Sequence, residues 1–145
     1  MEALISTTGG SLASTDGRVA IDIPTDTFTG TVRLVQGPAN GMPAPAGLIS
    51  TGQVFDITAA YDASGKPAQP APGKSYTITV TYPDDVPVLE DALALYYWNG
   101  NRWVMDDTSS VDVTTNTITA HPTHCSIWAV MGQARPLYLS LMQIR

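Results

Sequence analysis

The chain has 145 residues and a mass of 15.4 kDa, one ordinary domain, with 43% apolar residues, only 14% charged residues and a net charge of −6. Seven Lys and Arg against thirteen Asp and Glu exclude a nucleic-acid interface, which needs clustered cations to meet the phosphates. One Cys rules out an internal disulfide and a Cys-based zinc cluster, two His without companion Cys disfavour a metal centre, and no apolar run is long enough for a membrane-spanning helix.

Thr and Ser stand where charge is missing, eighteen and ten of them, and twelve Gly with eleven Pro complete a turn-rich, strand-favouring composition. The opening, MEALISTTGG, has no basic region followed by an apolar one, so it is not a signal peptide. Met1-Glu2 reads instead like an artificial start on a piece of a longer chain. Low Lys, abundant Thr and Ser and Pro-rich loops together point to an extracellular or cell-surface bacterial module.

The expected strands follow in chain order. Ser11–Ser14 and Arg18–Pro24 flank a turn at Asp16-Gly17, with Val19, Ile21 and Ile23 on one face of the second strand. Gly30–Val35 sets Val32 and Leu34 against Thr31, Arg33 and Val35. Residues 37–45 hold three Pro and read as loop. Val54–Tyr61 alternates Phe55, Ile57 and Ala59 with Val54, Asp56 and Thr58, and Asp62–Lys74 is loop. Ser75–Tyr82 is the clearest strand, Tyr76, Ile78, Val80 and Tyr82 alternating with Thr77, Thr79 and Thr81. Leu93–Trp98 and Arg102–Met105 flank the Asn99-Gly100 turn; Val111 and Val113 pair with Thr117–Ala120 across Asn116; Ser126–Met131 is a further strand and Leu137–Ile144 a candidate last one. No segment keeps a helical period over three turns. The fold class is therefore all-β, an antiparallel β-sandwich of nine or ten short strands with almost no helix. Its expected core is Val19, Ile21, Ile23, Ile78, Val80, Leu93, Leu95, Trp128 and Val130.

Few residues offer chemistry. Trp98 and Trp103 flank one tight turn and are expected to be cross-strand neighbours; with Tyr97 they also make the rival case for a carbohydrate platform. Asp84-Asp85 with Glu90-Asp91, and Asp106-Asp107 with Asp112, lack the loop spacing of a calcium site and read as solvated turns. His121 and His124, three apart, fall on opposite faces if the segment is a strand. Neither has a carboxylate partner in sequence, so no enzyme acting on a diffusible substrate is expected, and no metal or other cofactor. Gly9-Gly10 is a turn without the Lys and helix of a phosphate loop.

The most informative stretch is Thr123-His124-Cys125-Ser126-Ile127-Trp128-Ala129-Val130-Met131-Gly132. It places a base, His124, two residues before a hydroxyl, Ser126. That hydroxyl can attack the carbonyl of Cys125, turning the amide into an ester that water splits. The Cys125 thiol could instead attack the His124 carbonyl, moving the cut one residue upstream.

This segment resembles the His-Leu-Ser/Thr or His-Phe-Ser tripeptide, followed by an aromatic-Ala-Val-Leu strand, that ends self-cleaving domains. These are the ZU-five domain (zonula occludens and netrin-receptor type) and the related proteolysis-site domain of adhesion receptors. Gly9-Gly10-Ser11-Leu12 through Asp16-Gly17-Arg18-Val19-Ala20-Ile21-Asp22-Ile23-Pro24 is similar to the ZU-five opening. Leu93 to Gly100 with Trp103-Val104 is similar to the late hairpin of bacterial members. Cys125 stands where the family has Leu or Phe.

The resemblance implies a β-sandwich over residues 1–132 and self-cleavage carried by His124, Cys125 and Ser126. Residues 133–145 form an apolar tail or edge strand, similar to tails that close some secreted bacterial proteins. The expected role is an extracellular structural or interaction module, with self-cleavage and carbohydrate binding as the two alternatives. Its expected partners are protein domains of the same parent chain or of the surface it sits on, with polysaccharide as the rival.

Overall fold

A computed structural model describes residues 1–43, 47–86 and 88–133. The candidate strand Leu137–Ile144, and with it the tail beyond Gln133, lies outside the described residues. Among the described residues eleven strands make the fold: β1 (Glu2–Ile5), β2 (Gly10–Ala13), β3 (Val19–Ile23), β4 (Val32–Pro38), β5 (Ile49–Tyr61), β6 (Thr77–Thr81), β7 (Ala94–Trp98), β8 (Trp103–Met105), β9 (Ser110–Asp112), β10 (Thr117–Ala120) and β11 (Ile127–Gly132). The one helical element among the described residues is a 3-10 turn at Glu90–Ala92.

The strands form two antiparallel sheets. One has six strands in the order β1-β4-β5-β11-β7-β8, the other five in the order β2-β3-β6-β10-β9. The alternation read in the sequence decides what lies between them. Val32 and Leu34 of β4, Phe55, Ile57 and Ala59 of β5, and Tyr76 to Tyr82 at every second position around β6 are all buried. All nine expected core residues are buried, Ile78, Val80, Leu95, Trp128 and Val130 completely. Inner-face residues interdigitate across two sheets in this way because each sheet has one apolar face to remove from water.

Three features depart from the sequence reading. Strand β4 runs on through Gly37 and Pro38, paired with Asp56 and Phe55 where a loop was expected, because Pro38 needs no N–H on this register. The opening residues form β1, paired with β4 through Glu2–Val35 to Ile5–Val32. Ile5 is buried and Ala3 packs against the core, while Leu4 is 55% exposed, so the strand points two apolar side chains inward and one into water. The fifth strand begins at Ile49 and extends past Gly52 (φ 90°) to reach β11.

The chain crosses from the first sheet to the second at Ser6–Gly9. Gly9 sits at φ 90°, and its N–H donates to the Ser6 carbonyl at 3.0 Å. A Cβ there would lie 2.3 Å from the Ile23 carbonyl oxygen. Positive φ and backbone contact both demand glycine. Gly9→Ala is therefore expected to destabilise by about 3 kcal/mol, the top of the ordinary range for a single substitution. Thermal unfolding measures this; a melting point equal to the parent's would contradict it.

Candidate functional site

The site lies where the segment 121–126 enters β11. His124 and Ser126, two residues apart at the bend that leads into β11, bring their side chains together. His124 Nδ1 and Ser126 Oγ are 2.7 Å apart. In the tautomer protonated on Nε2, Nδ1 accepts the hydroxyl proton, the arrangement a general base requires.

Aromatic packing fixes the imidazole. It stacks on Trp128, with centroids 5.3 Å apart and an interplanar angle of 13°, and Tyr97 meets it edge-on at 4.5 Å and 68°. Trp128 sits at the centre of the sheet, paired with Phe55 of β5 and Tyr97 of β7, so a buried and well-determined side chain supports the base. Burial holds the His124 pKa below its ordinary 6.5, while the Asp106 carboxylate pulls the other way. The imidazole is thus neutral at pH 7. Its contribution to stability is present above about pH 6.5, where folded and unfolded chains both carry it neutral. That contribution is lost as pH falls through the folded value, because the unfolded chain takes up the proton first.

The two carbonyls near Ser126 have different partners. Tyr76, 1% exposed, donates its hydroxyl to the His124 oxygen at 2.8 Å. Gln69 from the loop after β5 grips Cys125: the Cys125 N–H donates to Oε1 at 2.6 Å and Nε2 donates to the Cys125 oxygen at 3.4 Å. The Ser126 carbonyl accepts from the Ile57 N–H at 3.0 Å. Every carbonyl from 124 to 126 is therefore held by a defined donor.

Burial pushes the Cys125 thiol up to about 11, partly offset by the Tyr76 hydroxyl. It stays protonated at neutral pH, and a thiol is a far weaker nucleophile than a thiolate. Of the two attacks considered from the sequence, Ser126 on Cys125 has a base and Cys125 on His124 has none.

Several expectations need correction. His121 and His124 are not on opposite faces: residues 121–126 are not strand, and both line one groove of about 350 Å³ with Asp106, Thr108 and Tyr97. His121 is engaged elsewhere, its Nδ1 3.1 Å from the Thr77 hydroxyl. Asp106 is not a solvated turn residue. It is 6% exposed, and its carboxylate accepts from the Thr108 N–H at 2.8 Å and from the Thr108 hydroxyl. Asp84, Asp85, Asp91, Asp107 and Asp112 are exposed, and among the described residues no three His, Cys, Asp or Glu are placed to hold a metal ion. No helix among the described residues is long and apolar enough to cross a membrane.

Trp98 and Trp103 are direct partners on β7 and β8, with rings 5.5 Å apart at 65°. Trp103 also donates its indole N–H to the Pro43 carbonyl at 3.1 Å. Tyr97 turns to the opposite face, against His124 and Trp128, so the three rings do not form one stacking platform. The sequence reading missed Gln69, Tyr76 as a donor, and Asp106. Only the buried position of Tyr76 in an alternating strand had a local signal.

No known protein family matches the chain, and no curated protein matches it.

Proposed function

We propose that the chain is an extracellular module of a larger bacterial surface or secreted protein, and that it cuts its own backbone between Cys125 and Ser126. The observation that carries the reading is the 2.7 Å contact between His124 Nδ1 and Ser126 Oγ, on a residue whose preceding carbonyl is gripped by Gln69. The likeness of this segment to the self-cleaving ZU-five tripeptide supports it.

The chemistry follows from that contact. Ser126 Oγ attacks the Cys125 carbonyl carbon while His124 Nδ1 takes the hydroxyl proton. The resulting five-membered ring opens by breaking the C–N bond, and His124 returns its proton to the Ser126 nitrogen. The product is an ester between Cys125 and Ser126 Oγ. Water, reaching His124 through the adjoining groove, hydrolyses the ester to leave a carboxylate on Cys125 and a free amine on Ser126. The barrier is lowered by positioned groups, the base at His124 and the donor at Gln69.

Denatured intact-mass spectrometry tests the proposal. The expected result is two fragments whose masses sum to 15.4 kDa plus one water, with no change in native size. A cut upstream of Cys125 shifts the fragments by one Cys residue and would assign the attack to the thiol. One uncut species after long incubation at neutral to mildly basic pH would overturn self-cleavage. The chain would then be an interaction module in which the His124–Ser126 bond fastens a strand end.

The rate should also follow the neutral form of His124. It rises with pH through a midpoint below 6.5 and is flat from pH 7 upward, since burial depresses the imidazole. A midpoint at or above 6.5 in a pH series would contradict this.

A further inference from the structure

We propose that Gln69 is a catalytic residue, the oxyanion donor for the break at Cys125–Ser126; the inference rests on the self-cleavage reading. When Ser126 Oγ adds to the Cys125 carbon, the carbonyl oxygen becomes an alkoxide. Negative charge grows on that one atom and nowhere else in the protein. A donor aimed at it stabilises the transition state more than the resting amide, which is the condition for a rate effect. Among the described residues the only side-chain donor on the Cys125 oxygen is Gln69 Nε2, at 3.4 Å. That distance is long for the resting amide, and such contacts tighten as charge develops. Tyr76 is a better donor by distance, but its hydroxyl lies on the His124 oxygen, one peptide upstream of the bond that breaks.

The other end of the same amide explains why Gln69 is in place. Oε1 accepts the Cys125 N–H at 2.6 Å, so the side chain pairs with both backbone groups of Cys125 as a neighbouring strand would. Its loop is fastened independently of the site. The Ala68 N–H donates to Ala59 at 2.8 Å, the Ala71 N–H donates to Thr27 at 2.8 Å, and Ala60 bridges Pro67. Ala68 is buried while Gln69 is exposed, so the loop is anchored beneath the side chain and not through it. The donor is neutral and gives up no proton. Ser126 still passes its proton to His124 and, through it, to the departing nitrogen.

The test is a time course of denatured intact mass for the parent, Gln69→Ala and Gln69→Glu, each with and without hydroxylamine, alongside thermal melts. Gln69→Ala should slow cleavage at least about tenfold, below the roughly 10²–10³-fold of a shielded oxyanion donor because water reaches this one. Gln69→Glu keeps an acceptor for the Cys125 N–H but sets a carboxylate against the growing alkoxide. It should cleave at least as slowly as Gln69→Ala while melting close to the parent. Hydroxylamine, which captures esters, should restore neither variant, since the lost step precedes the ester. A parent that cuts while either variant matches its rate would overturn the role of Gln69 alone. Restoration by hydroxylamine would overturn it too, by placing Gln69 in ester hydrolysis. A parent that stays whole even in hydroxylamine would overturn both proposals.

Discussion

Ser126→Ala should yield a single species of 15.4 kDa that stays whole under conditions where the parent chain splits completely. The substitution removes the only hydroxyl that can close a five-membered ring on the Cys125 carbonyl. Its structural cost is the hydrogen bond to His124, about 1 kcal/mol, so the variant should remain folded. Ser126→Cys should still cut, because a thiol at the same position can make the equivalent shift from nitrogen to sulfur. His124→Ala should slow the reaction roughly 10²–10⁴-fold, the usual worth of a positioned base. Thr123 and His121 do not replace it: His121 is spent on Thr77, and the hydrogen-bond partner of Ser126 Oγ among the described residues is His124. Fragment yield over time, read by mass, checks all three. Equal cleavage in Ser126→Ala would show that the nucleophile lies elsewhere.

The second large effect is on stability. Trp128 is the largest completely buried side chain, and it joins the core to the base by stacking on His124. Trp128→Ala should cost about 3–5 kcal/mol, the range for truncating a buried aromatic ring. Against a total of about 5–15 kcal/mol that is a large share. For a chain of this size it lowers the melting point by roughly 10 °C or more. Trp128→Phe should cost much less. It keeps an aromatic face under His124, and it removes an indole N–H that has no hydrogen-bond partner among the described residues. Both variants are best compared in the Ser126→Ala background, so that melts report folding and not a mixture of cut and whole chains. A Trp128→Ala melt within a few degrees of the background would contradict the packing argument.

What the sequence disclosed depended on how local each signal was. A period of two, sustained over β3, β5 and β6, specified strands, faces and core together, because a one-residue slip would have turned every apolar side chain outward. His124 and Ser126 were legible because a single residue separates them, so little tertiary information is needed to bring them together. β1 was not legible. It is four residues long and runs Ala3-Leu4-Ile5 with Leu4 in water, so three apolar residues in a row hide the alternation, and β4 is what holds it in place. The early part of β5 was hidden by Gly52 and by the polar residues around it. Gln69 was invisible, being one polar residue in a Pro-rich loop whose partner lies 56 positions away. Asp106 misled because two adjacent carboxylates beside a turn usually face water, whereas the Thr108 hydroxyl and N–H let this one be buried.

β11 is an interior strand, bound to β5 on one side and β7 on the other. A peptide cut at its entrance would leave the two pieces joined by that double ladder and by core packing, with no covalent link between them. A tensile load along β11 then acts parallel to both ladders, so the flanking hydrogen bonds fail together in shear and do not unzip one by one as they would at a sheet edge. Rupture also draws Trp128 and Val130 out of the core, so separation takes part of the apolar packing with it. What remains has β5 and β7 facing an empty slot. Two lengths of unpaired backbone are exposed at once, ready to capture any extended segment that fits between them.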